Sequence, residues 1–327
     1  MVAVKIDKPM PTKKPLCSIV IRAFNEEKHI GKLLTGIEQQ TIQDRETLIV
    51  DSGSTDTTLE IASKYDARIV NIDSKEFTFG RSLNRGIQEA RGQFIVIISA
   101  HCYPVYPDWL DQLLKPFEDQ RVAVSYGKQR GAESNHFSEH QFFRTYFPDI
   151  SQPNQGQPYT HNANAAIRRS LWEKQPYNEE VTGLEDLAWS SWAKAQGYSI
   201  AYVSEAEIVH IHNETFKQVH NRYRREAIAM KQILPESHFS IRNMIGMFIQ
   251  KSIYDLAQAR REGVFWKELI DVLRFRLLQY LGTWQGYRYS GTVDQKLHRQ
   301  FYYPPGSLTD KIPESRPVEP ISYPGEE

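Results

Sequence analysis

The feature of this chain that most constrains its fold is an uninterrupted apolar run, FIVII, at residues 94–98. A short run without polar alternation is typical of a strand buried on both faces, as in a parallel sheet covered by helices. Ser99, Ala100 and His101 follow the run directly. Because open α/β sheets bind ligands beyond the carboxyl ends of their strands, we expect these three residues to face a binding crevice.

The first part of the chain alternates predicted strands with amphipathic helices. This alternation predicts an α/β fold, a Rossmann-like, mostly parallel sheet with right-handed crossovers and helices on both faces. Besides residues 94–99, the strands are predicted at residues 18–23, 47–50, 68–71 and 122–126, and the helices at residues 28–39, from 56 to about 65, 80–90 and 108–117.

The second part has a different pattern. Residues 127–160 are polar and aromatic and are predicted to form a long loop, and long loops in compact domains are often functional. We expect the contacts with the acceptor to come from residues 135–162. Residues 216–289 are predicted to be mainly helical, and the proline-containing tail from residue 303 to be extended or disordered. We therefore divide the chain into a flexible leader at 1–15, a catalytic domain at 16–213, a helical region at 214–300 and a Pro-rich tail at 301–327.

The formal net charge of zero hides an asymmetry along the chain. Residues 214–300 carry 15 Lys and Arg against 8 Asp and Glu. This excess favours a phosphate-rich partner or a membrane surface, and a solvated helical face is the alternative. We expect the apolar helix at residues 244–257 to pack on the catalytic domain; dimerisation and contact with a bilayer are the alternatives. A homo-oligomer stays open, and we expect no nucleic-acid partner.

Features that the sequence lacks limit the cellular compartment and the enzyme classes that we expect. The two cysteines form no disulfide framework and suit a reducing compartment. Residues 1–15 lack an apolar signal core, and no stretch approaches the roughly 20 apolar residues that span a bilayer. We expect a cytoplasmic protein, with peripheral contact at the inner face of the membrane left open. The dinucleotide-binding and P-loop glycine patterns are absent, which weighs against nicotinamide oxidoreductases and P-loop enzymes.

Polar loops follow the first two predicted strands. The first strand ends in RAFNEE at residues 22–27 and the second in DSGSTD at residues 51–56. Both loops should open onto the same crevice, where they would bind a base and a ribose through hydrogen bonds. We interpret Ser54, Thr55 and Asp56 as helix-capping residues. Asp51 precedes the turn and is the better ligand candidate.

Four segments in this order resemble family 2 glycosyltransferases of the GT-A fold, over about residues 16–212. They are FNE at residues 24–26, IVDSGSTD at 49–56, NRG at 84–86 with ARG at 90–92, and GLED at 183–186. Two further segments, FGRS at 79–82 and YGKQ at 126–129, are similar to the rhamnosyltransferase-like branch of that family.

The resemblance implies roles for individual residues. Asp186 would be the catalytic base that takes the proton of the acceptor hydroxyl, with Glu185 beside it; the alternative for Asp186 is an acidic residue that stabilises the start of its helix. Arg81 or Arg85 would lie near the diphosphate. The residues implied in binding the nucleotide or the donor sugar are Ala23, Phe24, Asn25, Glu26, Asp51, Ser99 and Ala100.

The chain departs from the family at the metal-binding Asp-x-Asp, where Ser99 and His101 stand in place of the acidic residues. His210 and His212 lie two apart on a predicted strand and so project to the same face. One of them with His101 would form a divalent-metal site, for Mn²⁺ in the first place and Mg²⁺ in the second, because imidazole suits Mn²⁺ better. The alternative is metal independence, with structural histidines and a diphosphate neutralised by Arg81, Arg85 and the basic residues 222–225.

The resemblance thus predicts an inverting, hexosyltransferase-type enzyme. It would move a sugar from a nucleoside-diphosphate sugar to a hydroxyl of a glycan or lipid-linked glycan, in surface polysaccharide biosynthesis. The alternative is a catalytically inactive nucleotide-sugar-binding scaffold of a polysaccharide assembly complex, motivated by the missing acidic pair at Ser99 and His101. The retained Glu185 and Asp186 argue against it, because a binding protein needs no base.

Overall fold

The structure, a computed structural model, describes residues 14–291 and 318–323. Most of the predicted leader and most of the predicted tail therefore lie outside the described residues. The described chain contains one eight-stranded sheet. Its strands are β1 (Cys17–Ala23), β2 (Arg45–Asp51), β3 (Ala67–Asn71), β4 (Phe94–Ser99), β5 (Cys102–Pro104), β6 (Val122–Gly131), β7 (Asn164–Arg168) and β8 (Ser199–His210).

The order of the strands is β3-β2-β1-β4-β7-β6-β8-β5. The first four are mutually parallel, as the alternation of strands and helices predicts. The sheet is mixed beyond them, because β7 runs antiparallel to both of its neighbours and β5 runs antiparallel to β8 at the edge. β6 and β8 are parallel. The carboxyl ends of β1, β2 and β4 thus meet along one side of the sheet.

Helices cover both faces of the sheet. Those that precede the C-terminal region are α1 (Ile30–Glu38), α2 (Thr58–Ala62), α3 (Phe79–Glu89), α4 (Trp109–Leu114), α5 (Phe137–Tyr146), α6 (Arg169–Trp172) and α7 (Glu185–Ala195), with a 3₁₀ turn at Lys115–Glu118. The region predicted to be helical forms α8 (Phe216–Ile233), α9 (Ile241–Arg261) and α10 (Phe265–Arg288). No helix in the described part of the chain has the length and hydropathy needed to cross a membrane.

Strand β4 is buried on both faces, as its sequence predicts. Val96 and Ile98 pack in the core beneath α1 and α4. Ile95 and Ile97 point the other way and pack in the core that includes residues of α3 and α7. This alternation places the backbone of β4 at the centre of the molecule, so the residues that follow it are held in a fixed position.

The segment predicted as one long loop is the main departure from the sequence prediction. β6 continues to Gly131 and α5 occupies Phe137–Tyr146, so regular structure covers much of residues 127–160. Strand β5 was not predicted, because three residues are too few to show a pattern. The strand predicted to carry His210 and His212 is the end of a longer strand, β8, which ends at His210 and pairs irregularly with β6.

A short segment near the end of the chain packs against β5. The Ile321 N–H donates to the Val105 carbonyl at 3.0 Å, and the Tyr323 hydroxyl donates to the Pro104 carbonyl at 2.7 Å. Both side chains are buried. Residues 318–323, in the tail predicted to be extended or disordered, are thus held against β5 by buried apolar side chains.

Gly36 on α1 makes room for this segment. A Cβ at Gly36 would lie 2.3 Å from the Tyr323 hydroxyl oxygen, whereas a Cβ at Gly31 on the same helix would meet Ile61 at 3.3 Å. We expect Gly36→Ala to displace Tyr323 and to speed amide hydrogen exchange at Ile321 by about tenfold or more, because local opening then exposes that amide.

Gly31→Ala is the matched control, since both substitutions raise the helix propensity of α1 by about 1 kcal/mol. Hydrogen exchange followed by mass spectrometry on the peptide that contains Ile321 measures the difference. Equal exchange in the two variants would contradict the role of Gly36.

Candidate active site

Three histidines meet at the edge of the sheet. His101 lies between β4 and β5, His210 ends β8 and His212 follows it. Because β5 pairs with β8, Cys102 stands opposite His210. The ring centroid of His210 lies 5.2 Å from that of His101 and 4.0 Å from that of His212. One ring nitrogen from each of the three histidines lies within 4.8 Å of the others.

The Nδ1 atom of each histidine is already hydrogen-bonded. The Nδ1 of His101 contacts Glu26 at 2.9 Å, and the Nδ1 of His212 contacts Glu139 at 2.8 Å. The Nδ1 of His210 contacts the Gln129 side-chain oxygen at 2.8 Å. Metal-binding histidines typically use one ring nitrogen in this way, which orients the other toward the metal.

The remaining nitrogen, Nε2, is available for a ligand. The Nε2 of His210 is buried and has no hydrogen-bond partner among the described residues. A buried nitrogen in this state is costly unless it finds a partner. Three clustered imidazoles, one with an unpartnered buried Nε2, therefore fit a divalent transition metal, and they fit Mg²⁺ less well, since that ion prefers oxygen ligands.

Burial keeps two of these histidines neutral. It lowers the pKa of His210 and of His212 well below the ordinary value, and the neighbouring positive charges add to the effect. Burial also opposes protonation of His101, but the carboxylate of Glu26 outweighs it and raises that pKa. Neutral imidazole is the form that binds metals.

The predicted catalytic pair lies at the start of α7. Leu184, with φ 57°, turns the chain into the helix. The Asp186 carboxylate accepts the N–H of Asn162 at 3.0 Å and of Leu187 at 2.8 Å. The contact with Leu187 is what the helix-stabilising alternative expects, and the contact with Asn162 ties the same carboxylate to the chain that leads into β7.

Glu185 is held by different partners. Its carboxylate accepts from Arg22 at 3.0 Å and from the side chain of Asn162 at 3.2 Å. Arg22 is the residue of β1 that stands opposite Ser99. Arg22 was not among the predicted site residues, although an arginine near the end of an apolar strand is a signal for a site residue.

The two acidic residues have different environments. Burial, and then the nearby Glu185 carboxylate, raise the pKa of Asp186 to about 7. A carboxyl group with this pKa is partly ionised near neutrality and able to accept a proton, as general bases must. Perturbed pKa values of this kind cluster at functional sites.

The two predicted donor loops are joined to each other. The side-chain oxygen of Asn25 accepts the backbone N–H of Thr55 at 2.8 Å, and the backbone N–H of Asn25 donates to the Ser54 hydroxyl at 2.9 Å. Asn25 has φ 54°, a conformation that asparagine tolerates. Of the three residues interpreted as helix caps, Asp56 accepts the N–H of Thr58 at the start of α2 at 2.9 Å, whereas the hydroxyls of Ser54 and Thr55 donate to Asp51 and Asn25.

The other predicted donor residues lie along the same edge. Ala23 stands opposite Asp51 in the pairing of β1 with β2, and the Asp51 carboxylate accepts the backbone N–H groups of Gly53 and Ser54. Phe24 is half-buried beside them. The carboxylate of Glu26 is directed to His101, so the structure places it behind the histidines.

Ser99 and Ala100 connect these donor loops to the histidines. The Ser99 N–H donates to the Ala163 carbonyl at 3.4 Å, and Ala100 is buried. Ser99 lies beside Arg22 on the neighbouring strand and directly precedes the turn to His101. The structure thus brings the predicted nucleotide, catalytic and metal residues to one edge.

The predicted diphosphate arginines are the exception. Arg85 is half-exposed on α3 and pairs with Glu89, one turn further along that helix, at 3.2 Å. Arg81 is half-exposed and pairs with Glu179, in the segment before α7, at 2.8 Å. Both arginines predicted near the diphosphate are thus already paired with carboxylates.

The cations that do lie at the site are largely buried. Arg22 and Arg225 lie over the Phe79 ring at 4.6 and 4.7 Å from its centroid. Arg222 pairs with Glu139 and with Glu214, the latter at 2.7 Å. Of these, Glu139 carries no signal in the sequence, because it lies on a helix predicted as loop.

Comparison with known proteins gives a consistent result. Residues 18–175 match the model of glycosyl transferase family 2. The O-antigen chain rhamnosyltransferase WbaN of Salmonella anatum is 32% identical over 197 residues, which cover 57% of this chain and 62% of that protein. The rhamnosyltransferase RfbN of Salmonella typhimurium is 28% identical over 218 residues, covering 63% and 69%. The match thus spans less than two thirds of WbaN.

Solved structures confirm the fold. The mannosyltransferase PcManGT of Pyrobaculum calidifontis, solved with GDP-Man and Mn²⁺, superposes with a TM-score of 0.59 at 17% identity and covers 84% of this chain and 88% of that one. Residues 1–349 of Staphylococcus aureus TarS, solved with UDP, give 0.50 at 18% identity, covering 80% and 90%. The predicted GT-A fold with C-terminal helices is confirmed, as is the resemblance to the rhamnosyltransferase-like branch.

The raised pKa of Asp186 predicts a pH-dependent effect on stability. A group whose pKa is higher in the folded protein contributes stability that is complete below its unfolded pKa and is lost as pH rises through about 7. Asparagine does not titrate, so Asp186→Asn lacks this loss. Between roughly pH 5 and pH 8 we expect the free energy of unfolding of the wild type to fall by about 2 kcal/mol relative to that of the variant.

Urea unfolding of both proteins at the two pH values measures this gain. Because the comparison is made between pH values, the hydrogen bonds that asparagine makes differently cancel. Parallel pH curves for the two proteins would contradict the raised pKa.

Proposed function

Because residues 18–175 match the model of glycosyl transferase family 2, we propose that the protein transfers a sugar, with inversion, from a nucleoside-diphosphate sugar to a hydroxyl of a glycan or lipid-linked glycan. The observation that carries this proposal is the convergence of Asp186 and the three histidines on one edge of the sheet. Such a transfer requires a base and positive charge that stabilises the departing diphosphate, and a cation held by the three histidines would supply that charge.

In the proposed reaction Asp186 is the general base. Its carboxylate takes the proton of the acceptor hydroxyl as the hydroxyl oxygen attacks the anomeric carbon. The bond between that carbon and the diphosphate oxygen breaks in the same step, and the nucleoside diphosphate leaves with the bonding electron pair. Glu185 stays paired with Arg22 and keeps a negative charge beside Asp186, which makes Asp186 more basic.

His101, His210 and His212 would hold a divalent cation, Mn²⁺ in the first place. When bound, the ion supplies positive charge that stabilises the departing diphosphate. Glu26, Gln129 and Glu139 hold the three imidazoles in orientation. PcManGT, which shares the fold, was solved with GDP-Man and Mn²⁺.

The metal-independent alternative is less well supported by the charges at the site. Arg222 is already paired with two carboxylates, and Arg22 with a third. Arg81 and Arg85 are paired outside the site. The positive charge of these arginines is therefore largely offset before a diphosphate binds. A cation held by the histidines is the better source of positive charge for the diphosphate.

The names of the Salmonella relatives make a rhamnosyl donor and a surface polysaccharide acceptor the first to test. We expect slow release of nucleoside diphosphate from one member of a panel of UDP-, dTDP- and GDP-sugars with Mn²⁺. Asp186→Asn should lower this release by at least about 10²-fold, because the base is lost. Donor binding without turnover, across a panel of acceptors, would favour the inactive scaffold.

The dependence of the reaction on pH follows from the same residue. Since the base must be ionised, kcat/KM should fall about tenfold per pH unit below about 7 and reach a plateau above it. Rates measured at saturating Mn²⁺ across this range test the prediction. A flat profile would exclude Asp186 as the base.

Binding of the metal is testable without turnover. We expect His210→Ala to weaken Mn²⁺ binding, measured by electron paramagnetic resonance, by at least about tenfold, because one ligand is lost. His220→Gln is the matched control, since His220 contacts Gln285 on the helical side of the chain. Equal Mn²⁺ binding in the two variants, together with turnover that survives EDTA, would support the metal-independent mechanism instead.

A further inference from the structure

The surface of α9 is unusually apolar for an exposed helix. Ile241, Ile245 and Ile249 are each about half exposed, at 48%, 49% and 49%, and Ile253 is 64% exposed. They recur every four residues and so form a continuous stripe along the helix. The expectation that this helix packs on the catalytic domain is met toward its C-terminal end, where Ser252, Asp255 and Ala259 are buried and Asp255 contacts Ser138 of α5.

The adjoining helix α10 carries a second stripe. Trp266 is 83% exposed, Ile270 58% and Leu277 45%. These positions are four and seven residues apart, which places them on one side of α10. Exposed apolar patches of this extent mark interaction surfaces. We call the exposed apolar residues of α9 and α10 the helical-hairpin surface.

The exposed charges next to this surface are mostly positive. Within α9, whose residues are all described, Asp255 is the only acidic residue, and it is fully buried in an ion pair with Arg276 at 2.7 Å. The basic residues of α9 are Arg242, Lys251, Arg260 and Arg261, all at least partly exposed. Three carboxylates lie beyond α9, and each is paired: Glu262 with Arg144, Glu268 with Lys267 and Asp271 with His136. Basic side chains therefore predominate among the exposed charges beside the apolar stripe of α9.

The combination of exposed isoleucines and basic side chains distinguishes between two occupants of this surface, a second copy of the chain and an anionic lipid bilayer. A second copy docked on the same surface would bring basic residues of α9 near basic residues of its partner, with no carboxylate of α9 to pair with them. An anionic lipid surface supplies both an apolar layer for the isoleucines and negative headgroups for the basic residues. Tryptophan is also enriched at the boundary between headgroups and acyl chains.

We infer that the helical-hairpin surface binds the surface of an anionic lipid bilayer, with α9 lying in the interface plane. This inference concerns binding alone and does not rest on the proposed transfer reaction. It does add a consequence if that reaction is correct. α9 and α10 are joined to α5 through Asp255, Arg276 and Ser138, and α5 carries Glu139, so the site would be held close to the membrane.

Vesicle flotation with the full chain tests the inference. We expect the wild type to float with vesicles that contain phosphatidylglycerol, and to float much less with pure phosphatidylcholine. Ile245→Gln/Ile249→Gln should weaken partitioning to the anionic vesicles by at least about tenfold, since two isoleucine side chains that the bilayer would bury are removed. Glutamine keeps the helix propensity of α9 high.

Ile150→Gln is the matched control, because Ile150 is 75% exposed but lies outside α9 and α10. It should float like the wild type. A wild type that does not float with anionic vesicles, or a control that loses as much as the double variant, would overturn the inference. Unchanged far-ultraviolet circular dichroism and melting temperature show that each variant is folded.

The role of charge has its own test. Arg242→Gln/Arg260→Gln should reduce binding to anionic vesicles and make the remainder less sensitive to salt, because screened attraction is removed. Analytical ultracentrifugation tests the second-copy occupant. A wild-type dimer that Ile245→Gln/Ile249→Gln dissociates would show that the surface is a self-interface and would overturn the bilayer assignment.

Discussion

The antiparallel pairing of β5 with β8 is the contact on which the candidate site depends. It is only three residues long, yet it sets Cys102 opposite His210 and so brings His101 beside His210 and His212. Without it, His101 would follow the central strand with no fixed relation to the C-terminal histidines. An edge pair this short has little stability of its own. The buried cluster of Tyr103, Ile211, Ile321 and Tyr323 supplies what the ladder lacks.

The clustering of the candidate residues was predictable from the sequence where local rules apply. The apolar run of β4 identified the strand, and the strand identified His101. His210 and His212 share a face because they lie two apart. The same local rules failed for Arg85, since a helix position tells little about which neighbour a long side chain finds. They also failed for Glu139 and Gln129, whose roles arise from contacts between residues about 70 to 80 positions apart.

The helical region and the sheet share their polar interior. His136, at the start of α5, contacts both Asp271 of α10 and the Glu214 carbonyl, at 2.8 Å each. Asp255 and Arg276 form a buried pair that also holds Ser138. Buried networks of this kind are stable only when every member is present. The orientation of α5, and with it the position of the Glu139 carboxylate, therefore depends on helices that the family match does not include.

The ion pair of Arg222 with Glu139 has a consequence for how such proteins diversify. A boundary at residue 213, which composition suggests, would separate a buried carboxylate from its guanidinium and leave the Nδ1 of His212 facing an unpaired charge. Removing one partner of a buried pair is strongly destabilising. Recombination between related genes would therefore yield working chimaeras only when the crossover keeps α5 and α8 from the same parent. The unit of inheritance is larger than the domain that the sequence suggests.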